Sequence, residues 1–384
     1  MDLSKIFVKN ASPTKVGGQA VLEGIMMKGE DRTAVVVRLP DDTMHIKTEM
    51  LPKRGAWVKF PIIRGVFMFG SALVAGTKTL MHSADVLESY DGEGAEEYEK
   101  DKFTIWLEKR FGEKGAWNFM LYTSVIIAVL FTVGIFIIGP TWVVNFFGRF
   151  TESEVVLNLI EGVLRIVLFV LYVVAISRMK DIRRVFQFHG AEHMCIHCYE
   201  NKRELTPENC REFYTLHPRC GTSFLMFVMA ISLILFSLLG WPDLLIRIGS
   251  RILLLPVVAG LSYELLRWAG RSDTALVKVL SIPGILLQKL TTRDPEDKQL
   301  EVAIAAMKAV MVDKSEPCYS GICDKDGRLI VQTQESETLM HGANVLEQPN
   351  LTQKTEQLEG QKNEEHLTQG VAQGLIESNE SGKM

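Results

Sequence analysis

Four long apolar segments dominate the pattern of hydrophobic and polar positions along the chain. Neither Trp117 to Ile138 nor Thr222 to Trp241 contains a charged residue. Two further apolar segments, Val155 to Ile176 and roughly Leu244 to Trp268, carry only a few charges each. Runs of about 20 apolar residues are long enough to cross the hydrocarbon core of a bilayer as α-helices. The pattern therefore predicts a mainly α, helical integral membrane protein with about four transmembrane helices, in a membrane domain of residues 116–271.

The segments before the membrane domain show two different patterns. Residues 1–52 predict a small N-terminal β element, because two short strand-like runs, Thr33 to Leu39 and Met44 to Thr48, flank a Pro-Asp-Asp turn signal. Residues 53–115 contain an apolar stretch interrupted by basic residues, and its uncharged part is too short to cross a bilayer. We expect an interfacial or re-entrant helix there, followed by a surface linker.

The segments after the membrane domain are more polar. Residues 272–312 contain amphipathic stretches that predict cytoplasmic helices. From Asp313 onward the chain holds 13 acidic and 6 basic residues, and Gln, Asn, Ser and Thr are frequent. A segment of this composition cannot bury enough apolar surface to offset its ordering entropy. We therefore predict that residues 313–384 form a disordered acidic tail that takes no part in the chemistry.

The distribution of charge predicts an orientation in the membrane. The loop at residues 177–221 carries eight basic residues, more than the neighbouring loops. The positive-inside rule places such a loop in the cytoplasm. With four crossings, both termini of a multi-pass protein of the cell membrane would then be cytoplasmic. The expected partners are the lipid bilayer and a second membrane protein; no nucleic acid is expected, because no dense basic face is interleaved with aromatic residues.

The loop at residues 177–221 also carries the main candidate chemistry. In a helix, His189 and His193 fall one turn apart on one face, so two imidazoles could bind one metal ion. Glu192 lies beside them and is the candidate catalytic residue, a general base that takes a proton from water. The order His-x-x-Glu-His is that of the inverted zinc peptidases.

Further candidate ligands converge on the same side of the bilayer. His217 and Cys220 come just before the third apolar segment, and Glu264 lies near the end of the fourth. Any of the three could be the third ligand of a divalent metal ion, most plausibly zinc. A rival arrangement joins Cys195 and Cys198 to His217 and Cys220 with the spacing of a structural zinc ribbon.

Several motifs together resemble the YqhQ-like family of bacterial multi-pass membrane proteins. They are the stretch from Gly17 to Met27, His189 to His193, His217 to Phe224, Ser262 to Arg267 and Gln288 to Pro295. The resemblance covers roughly residues 15 to 312. It implies an integral membrane protein of unassigned function, described as a predicted metal-dependent enzyme. The site residues that the resemblance implies in this chain are chiefly His189, Glu192, His193, His217 and Cys220. It implies no substrate.

Two functional hypotheses follow. The first is a metal-dependent membrane enzyme, a hydrolase with its site at the cytoplasmic membrane face. The second is a non-catalytic membrane scaffold or assembly factor, with a structural zinc site or no metal. Glu192 separates them, because a general base is needed only in the enzyme.

Overall fold

The computed structural model describes residues 14–333, except for 53–54, 56–58, 92–100, 148–150, 152, 241, 271, 273 and 325–326. The described part is mainly helical, as predicted. The strands are β1 Gly17–Val21, β2 Gly24–Lys28, β3 Arg32–Arg38, β4 Met44–Met50, β5 Ser320–Cys323 and β6 Leu329–Thr333. The helices are α1 Pro61–Asp91, α2 Lys102–Val133, α3 Gly139–Phe147, α4 Glu154–Ile176, α5 Lys180–Glu200, α6 Pro207–Arg211, α7 Thr222–Ser237, α8 Leu244–Ala269, α9 Ala275–Thr291 and α10 Asp297–Val310.

The six strands form one antiparallel sheet in the order β1-β2-β3-β4-β5-β6. The small N-terminal β element is therefore confirmed, and β3 and β4 correspond to the two predicted strands. The start of the predicted tail at Asp313 was wrong, because β5 pairs with β4 and β6 pairs with β5. Each is only 4 or 5 residues long, and its pairing partner is distant in sequence, so local composition hides it. The predicted tail beyond residue 333 lies outside the described residues.

Helices α5 and α10 pack against the sheet and form with it an α/β unit. The inward side chains of the strands, among them Ile25, Val36 and Ile46, are fully or almost fully buried against these helices. Helix α10 is apolar on nearly every side, and Leu300 and Met307 are fully buried. Because α5 is one layer of this core, its position and rotation are fixed by packing. The histidine helix is thus a rigid element of the fold.

Within the described part of the chain, three helices are long and apolar enough to cross a membrane: Tyr122–Phe147, Glu154–Ile176 and Leu245–Ala269. The predicted third crossing is a shorter apolar helix, α7, of 16 residues; its predicted last residue, Trp241, is not described. The predicted end of the first crossing at Ile138 was wrong, because a π-helical segment, Gly134–Ile138, leads directly into α3. Pro140 has no backbone N–H, but the carbonyl oxygen of Phe136, four residues earlier, accepts a hydrogen bond from Nε of Arg165 at 2.8 Å, so Pro140 does not end the span.

Helix α1 occupies the segment for which an interfacial or re-entrant helix was predicted. It is 31 residues long and packs against α8. A Cβ atom at Gly65 would lie 2.7 Å from the Cα of Gly260, so the two backbones are in direct contact there. Further along, Gly76 contacts the side chain of Gln19 in β1. Helix α1 therefore connects α8 to the edge of the sheet.

Candidate metal centre

Helix α5 places the histidine motif on one face of the α/β unit. Residues 189–193 are helical, so His189 and His193 lie one turn apart with their ring centroids 4.4 Å from each other. Cys220 reaches them from the loop that precedes α7. One potential ligand atom from each of His189, His193 and Cys220 lies within 4.8 Å of the other two. These three predicted ligands are thus brought together, although no ion is part of the structure.

Hydrogen bonds fix the tautomers of both imidazoles. Nδ1 of His189 is 2.8 Å from the carbonyl oxygen of Thr291, and Nδ1 of His193 is 2.6 Å from that of Thr215. A carbonyl oxygen can only accept, so each Nδ1 donates, and in the neutral ring Nε2 then keeps its lone pair. Metal-binding histidines usually make this second hydrogen bond. Nε2 of His193 is buried and makes no hydrogen bond. The orphaned nitrogen fits a bound cation.

The sulfur of Cys220 lies 3.2 Å from Nε2 of His189. Burial opposes ionisation of the thiol, but the neighbouring imidazoles of His193 and His189 outweigh it and hold the Cys220 pKa well below its usual range. For His189, burial lowers the pKa, but the nearby Cys220 sulfur raises it to about 9 overall. The backbone N–H of Thr222 at the start of α7 also points to the sulfur, at 3.4 Å. Cys220 is therefore predisposed to be a thiolate, the form that binds metal ions.

Glu192 is buried beside the three ligands and is not one of them. Burial raises the pKa of its carboxyl group, against the opposing effect of His189 and His193. The backbone N–H of Gly18 in β1 faces this carboxylate. A Cβ atom at position 18 would lie 2.9 Å from Cδ of Glu192 and 2.6 Å from the carbonyl oxygen of Met26. The absence of a side chain at Gly18 thus makes room for Glu192.

A cavity of ≈ 330 Å³ opens onto these residues. Its walls are β1, α5 and the loop from His217 to Thr222. His189, Glu192, His193 and Cys220 all line it, so a ligand in the cavity could reach both the potential metal ligands and the carboxylate. Apolar side chains, including Phe186 and Ile196, make up much of the rest.

His217 belongs to a second group, with His197 and Glu200, whose ligand atoms also lie within 4.8 Å of one another. Nδ1 of His217 accepts a hydrogen bond from the backbone N–H of Arg219, at 3.3 Å. In the neutral ring Nε2 then carries the proton, and it faces Glu200 Oε2 at 3.6 Å. Burial lowers the pKa of His217 to about 3, which keeps the ring neutral.

Glu200 is engaged by several donors. Its Oε1 accepts from the backbone N–H and the hydroxyl of Thr14, at 2.9 and 3.0 Å, and from Arg219. Burial raises the Glu200 pKa, but the nearby imidazole of His217 and the charge of Arg219 lower it to about 2 overall. Glu200 is thus held by hydrogen bonds, and Nε2 of His217, which makes none, carries the proton of the neutral ring and has no lone pair for a metal ion. Sequence reasoning assigned no role to His197 or Glu200; their spacings of four and seven residues after His193 were the available signal.

Glu264 lies elsewhere. Its carboxylate forms an ion pair with Arg64 of α1, with Nε of Arg64 at 3.0 Å. Among the described residues, neither group of potential ligands includes Glu264. An ion pair between residues 200 positions apart satisfies the charge that the sequence left unexplained.

The zinc-ribbon arrangement is not formed. Cys195 and Cys198 are buried in the hydrophobic core of the α/β unit. A helix turns about 100° per residue, so Cys195 and Cys198 project from the side opposite to His189 and His193. The continuous helix thus separates the two cysteines from Cys220.

The comparisons with known proteins agree with the resemblance found in the motifs. Residues 60–313 match the family described as "Protein of unknown function (DUF1385)". The chain is also 32% identical over 309 residues to the "Uncharacterized protein YqhQ" of Bacillus subtilis (strain 168), covering 79% of this chain and 94% of that protein. The chain therefore belongs to the DUF1385 family, and YqhQ is a relative of this chain. No solved structure matches it.

Proposed function

We propose that the protein is a metal-dependent hydrolase in which His189, His193 and Cys220 hold a divalent ion, preferably zinc. The observation that carries the proposal is the pair of imidazoles whose Nδ1 atoms bond to carbonyl oxygens and whose Nε2 atoms remain for a ligand. Two imidazoles and a thiolate are donors that zinc prefers. Three protein ligands leave one tetrahedral position for water or substrate, as in catalytic zinc sites.

Glu192 acts as the general base in this proposal. When bound, the metal supplies Lewis acidity that makes a water molecule easier to deprotonate. Glu192 accepts the proton of that water and later donates it to the leaving group. Burial raises the pKa of Glu192, which favours its return of the proton to the leaving group. Gly18 keeps the carboxylate in position, and the apolar part of the cavity wall limits competing water.

Two variants of the full-length protein, purified in detergent, test the proposal. We expect about one equivalent of zinc in the wild type and none in His193→Ala. Glu192→Gln keeps the shape of the side chain and its distance from the ligands, so zinc should remain. Complementation of a deletion strain should nevertheless fail in Glu192→Gln, because a general base typically contributes about 100- to 10,000-fold to the rate.

His197→Ala is the matched control, because His197 is a buried histidine one turn further along α5. It should retain zinc. Loss of zinc in His197→Ala together with retention in His193→Ala would refute the proposed ligand set. Retained zinc and full complementation by Glu192→Gln would instead support the non-catalytic scaffold with a structural zinc site.

We also propose that the protein lies in the cell membrane with its α/β unit and both described ends in the cytoplasm. β4 and β5 belong to one sheet, so the chain before α1 and the chain after α10 lie on the same side. That requires an even number of crossings. Helix α7 supplies the fourth crossing, because it runs beside α4. The side chain of Leu233 lies against Gly162, and Asn158 donates a hydrogen bond to the carbonyl oxygen of Gly240, just after α7. The basic loop at residues 177–221 favours the cytoplasmic side.

Cysteine labelling in intact cells tests this orientation. A cysteine at Leu245, which is highly exposed at the start of α8, should react with a membrane-impermeant maleimide. A cysteine at Asp41 of the sheet should react only after the cells are opened. The reverse pattern would refute the proposed orientation.

A cysteine-nucleophile hydrolase is the second candidate function. The contact of 3.2 Å between Cys220 and His189 and the lowered pKa of the thiol favour it. The two candidates differ in their response to chelation. Activity that survives removal of all zinc but is lost on alkylation of Cys220 would support the nucleophile.

A further inference from the structure

We infer that the substrate is a polypeptide segment that binds in extended conformation along the outer edge of β1. This inference rests on the proposed function and names the substrate class of the same site. It makes the protein a peptidase, in which β1 aligns the peptide bond with Glu192 and the potential metal ligands.

β1 is the first strand in the order of the sheet, so only β2 pairs with it among the described residues. An edge strand presents backbone N–H and C=O groups to which another extended chain can bind by strand addition. The strand is Gly17–Val21, and residues 17 and 18 are exposed glycines. No atom lies within 4 Å of a Cβ built at Gly17, whereas Glu192 lies against Gly18, so an approaching backbone would meet the candidate base at this end of the edge.

The register identifies which backbone groups point outward. A two-residue turn joins β1 to β2, with Val21 opposite Gly24. Hydrogen-bonded and non-hydrogen-bonded pairs alternate along an antiparallel ladder. If Val21 and Gln19 bond to β2, Gly18 and Ala20 turn their N–H and C=O groups to the free edge. The N–H of Gly18 faces Glu192, which agrees with this alternation.

The free edge and the reactive residues share one cavity. Residues 17–20 of β1 and Val16 just before it form part of its wall, and α5 contributes His189, Glu192 and His193. The C=O of Gly18 and both backbone groups of Ala20 could bind a peptide whose next carbonyl lies near Glu192. Binding by backbone groups is a feature of polypeptides rather than of lipids or sugars.

The charges in the cavity disfavour a phosphate ester. Arg219 is the only arginine or lysine among the described residues that line it, and Arg219 forms an ion pair with Glu200. A phosphate group would have to break that pair. The loop to Thr222 leads directly into α7, so the peptide would enter at the level where the chain meets the membrane.

The step is a hydrolysis. The water oxygen forms a bond to the carbonyl carbon of the peptide, and the carbon–nitrogen bond breaks. Glu192 takes one proton from the water and transfers it to the leaving amine nitrogen. The products are an amine and a carboxylic acid, and the acid becomes a carboxylate by releasing the second proton of the water to the solvent or to the amine; no further reactant is consumed.

Calorimetric titration of the zinc-loaded full-length protein with two hydroxamates tests the inference. Acetohydroxamate can bind only at the metal, whereas a tripeptide hydroxamate can also pair with β1. We expect the tripeptide to bind roughly 10- to 100-fold more tightly, from two or three added backbone hydrogen bonds. Methylation of one tripeptide amide nitrogen that pairs with β1 should remove roughly 3- to 10-fold of this gain.

Ala20→Pro removes the outward N–H at one position of the edge, where proline is tolerated. This variant should bind the tripeptide hydroxamate more weakly by a similar factor and bind acetohydroxamate with unchanged affinity. Ala20→Gly keeps the N–H, so its affinity for either ligand should change less. A tripeptide no tighter than acetohydroxamate, or one insensitive to methylation, would overturn this inference alone. Protein that takes up no zinc would overturn the proposed function and the inference with it. The methylated ligand uses wild-type protein, so the test does not depend on the folding of Ala20→Pro.

Discussion

The α/β unit and the helical region, which comprises the three candidate spans and α7, differ in where their large apolar side chains lie. In the α/β unit Ile25 and Leu300 are fully buried. In the helical region Leu253 is 79% exposed, while Glu161 and Arg251 are buried. A surface of exposed leucines over buried charges suits surroundings that are as apolar as that surface. The surface of the α/β unit thus suits water, whereas the surface of the helical region suits an apolar environment. The candidate metal centre lies where α5 meets the loop that leads into α7.

The comparison also separates two kinds of buried polar cluster. In the helical region Oε1 of Glu161 accepts from Thr141 at 2.8 Å, from Arg165 at 2.9 Å and from Arg251. These groups bind one another across three helices. Beside the cavity, His193 keeps a buried nitrogen without a hydrogen bond. Oε2 of Glu161 is also buried without a hydrogen bond, so neither a buried charge nor an orphaned atom alone indicates a functional site; the cavity beside His193 is what distinguishes the candidate metal centre.

Removal of the chain after Asp313 should have the largest effect. It deletes β5 and β6, the hydrogen bonds between Thr48 and Tyr319, and the Glu316 carbonyl that binds the buried Arg32. We expect a loss of more than about 5 kcal/mol, comparable to the stability of an ordinary domain. Thermal unfolding in detergent measures it, with a chain ending at residue 334 as the control. Equal melting temperatures for the two chains would show that β5 and β6 do not stabilise the α/β unit.

Glu161→Gln tests the buried charges of the helical region. It leaves Arg165 and Arg251 without their shared carboxylate, and removing one partner of a buried ion pair costs about 3–5 kcal/mol. The matched control is Glu212→Gln on the α/β unit, where Glu212 and Arg203 form an exposed pair at 3.0 Å. There we expect about 0.2–1 kcal/mol. Similar losses in both variants, measured by chemical unfolding in detergent, would contradict the difference between the regions.

Leu300→Ala and Leu253→Ala compare the same substitution in the two regions. Leu300 is fully buried in α10, so its truncation should leave a cavity and cost about 2–5 kcal/mol. Leu253 points away from the protein, and its truncation should change the free energy of unfolding by less than about 0.5 kcal/mol. The unfolding midpoints of the two variants give the result. A larger loss from Leu253→Ala would mean that its exposed face packs against something.

Gly18→Ala should have the smallest effect on stability and a specific one on the site. The added Cβ would press on Glu192 and on the carbonyl oxygen of Met26, and such overpacking costs about 1–3 kcal/mol. Zinc content should not change, because Gly18 contacts none of the proposed ligands. Gly17→Ala is the control, since no atom lies within 4 Å of a Cβ built there. Melting curves that do not distinguish the two variants would contradict the contact with Glu192.

Features with a local signal were predicted well. Helix α4 begins and ends within one residue of the predicted second crossing, because an apolar helix of this length needs no distant partner to be recognised. The three residues His189, His193 and Cys220 were predicted as ligands, and the structure brings them within 4.8 Å of one another. Helical spacing accounts for the two histidines.

Features that depend on distant partners were not predictable in the same way. Nothing near Glu264 in the sequence indicates that Arg64 neutralises it. β5 and β6 are short, and only pairing with β4 gives them structure. The tautomer of His193 depends on Thr215, which lies in a different element. Each is a contact between segments that become neighbours only in the folded chain.

The pairing of β4 with β5 also has a consequence for the order of events on the ribosome. Thr48 and Tyr319 are bonded partners 271 positions apart. At about 5–20 residues per second, β4 is synthesised roughly 15–50 s before β5 emerges. During that interval every candidate membrane helix is made while the edge of β4 has no partner, and a chain that stops early never closes its sheet. Completion of the sheet thus reports that translation has passed the last candidate membrane helix, whereas every residue that lines the cavity has been made by Thr222.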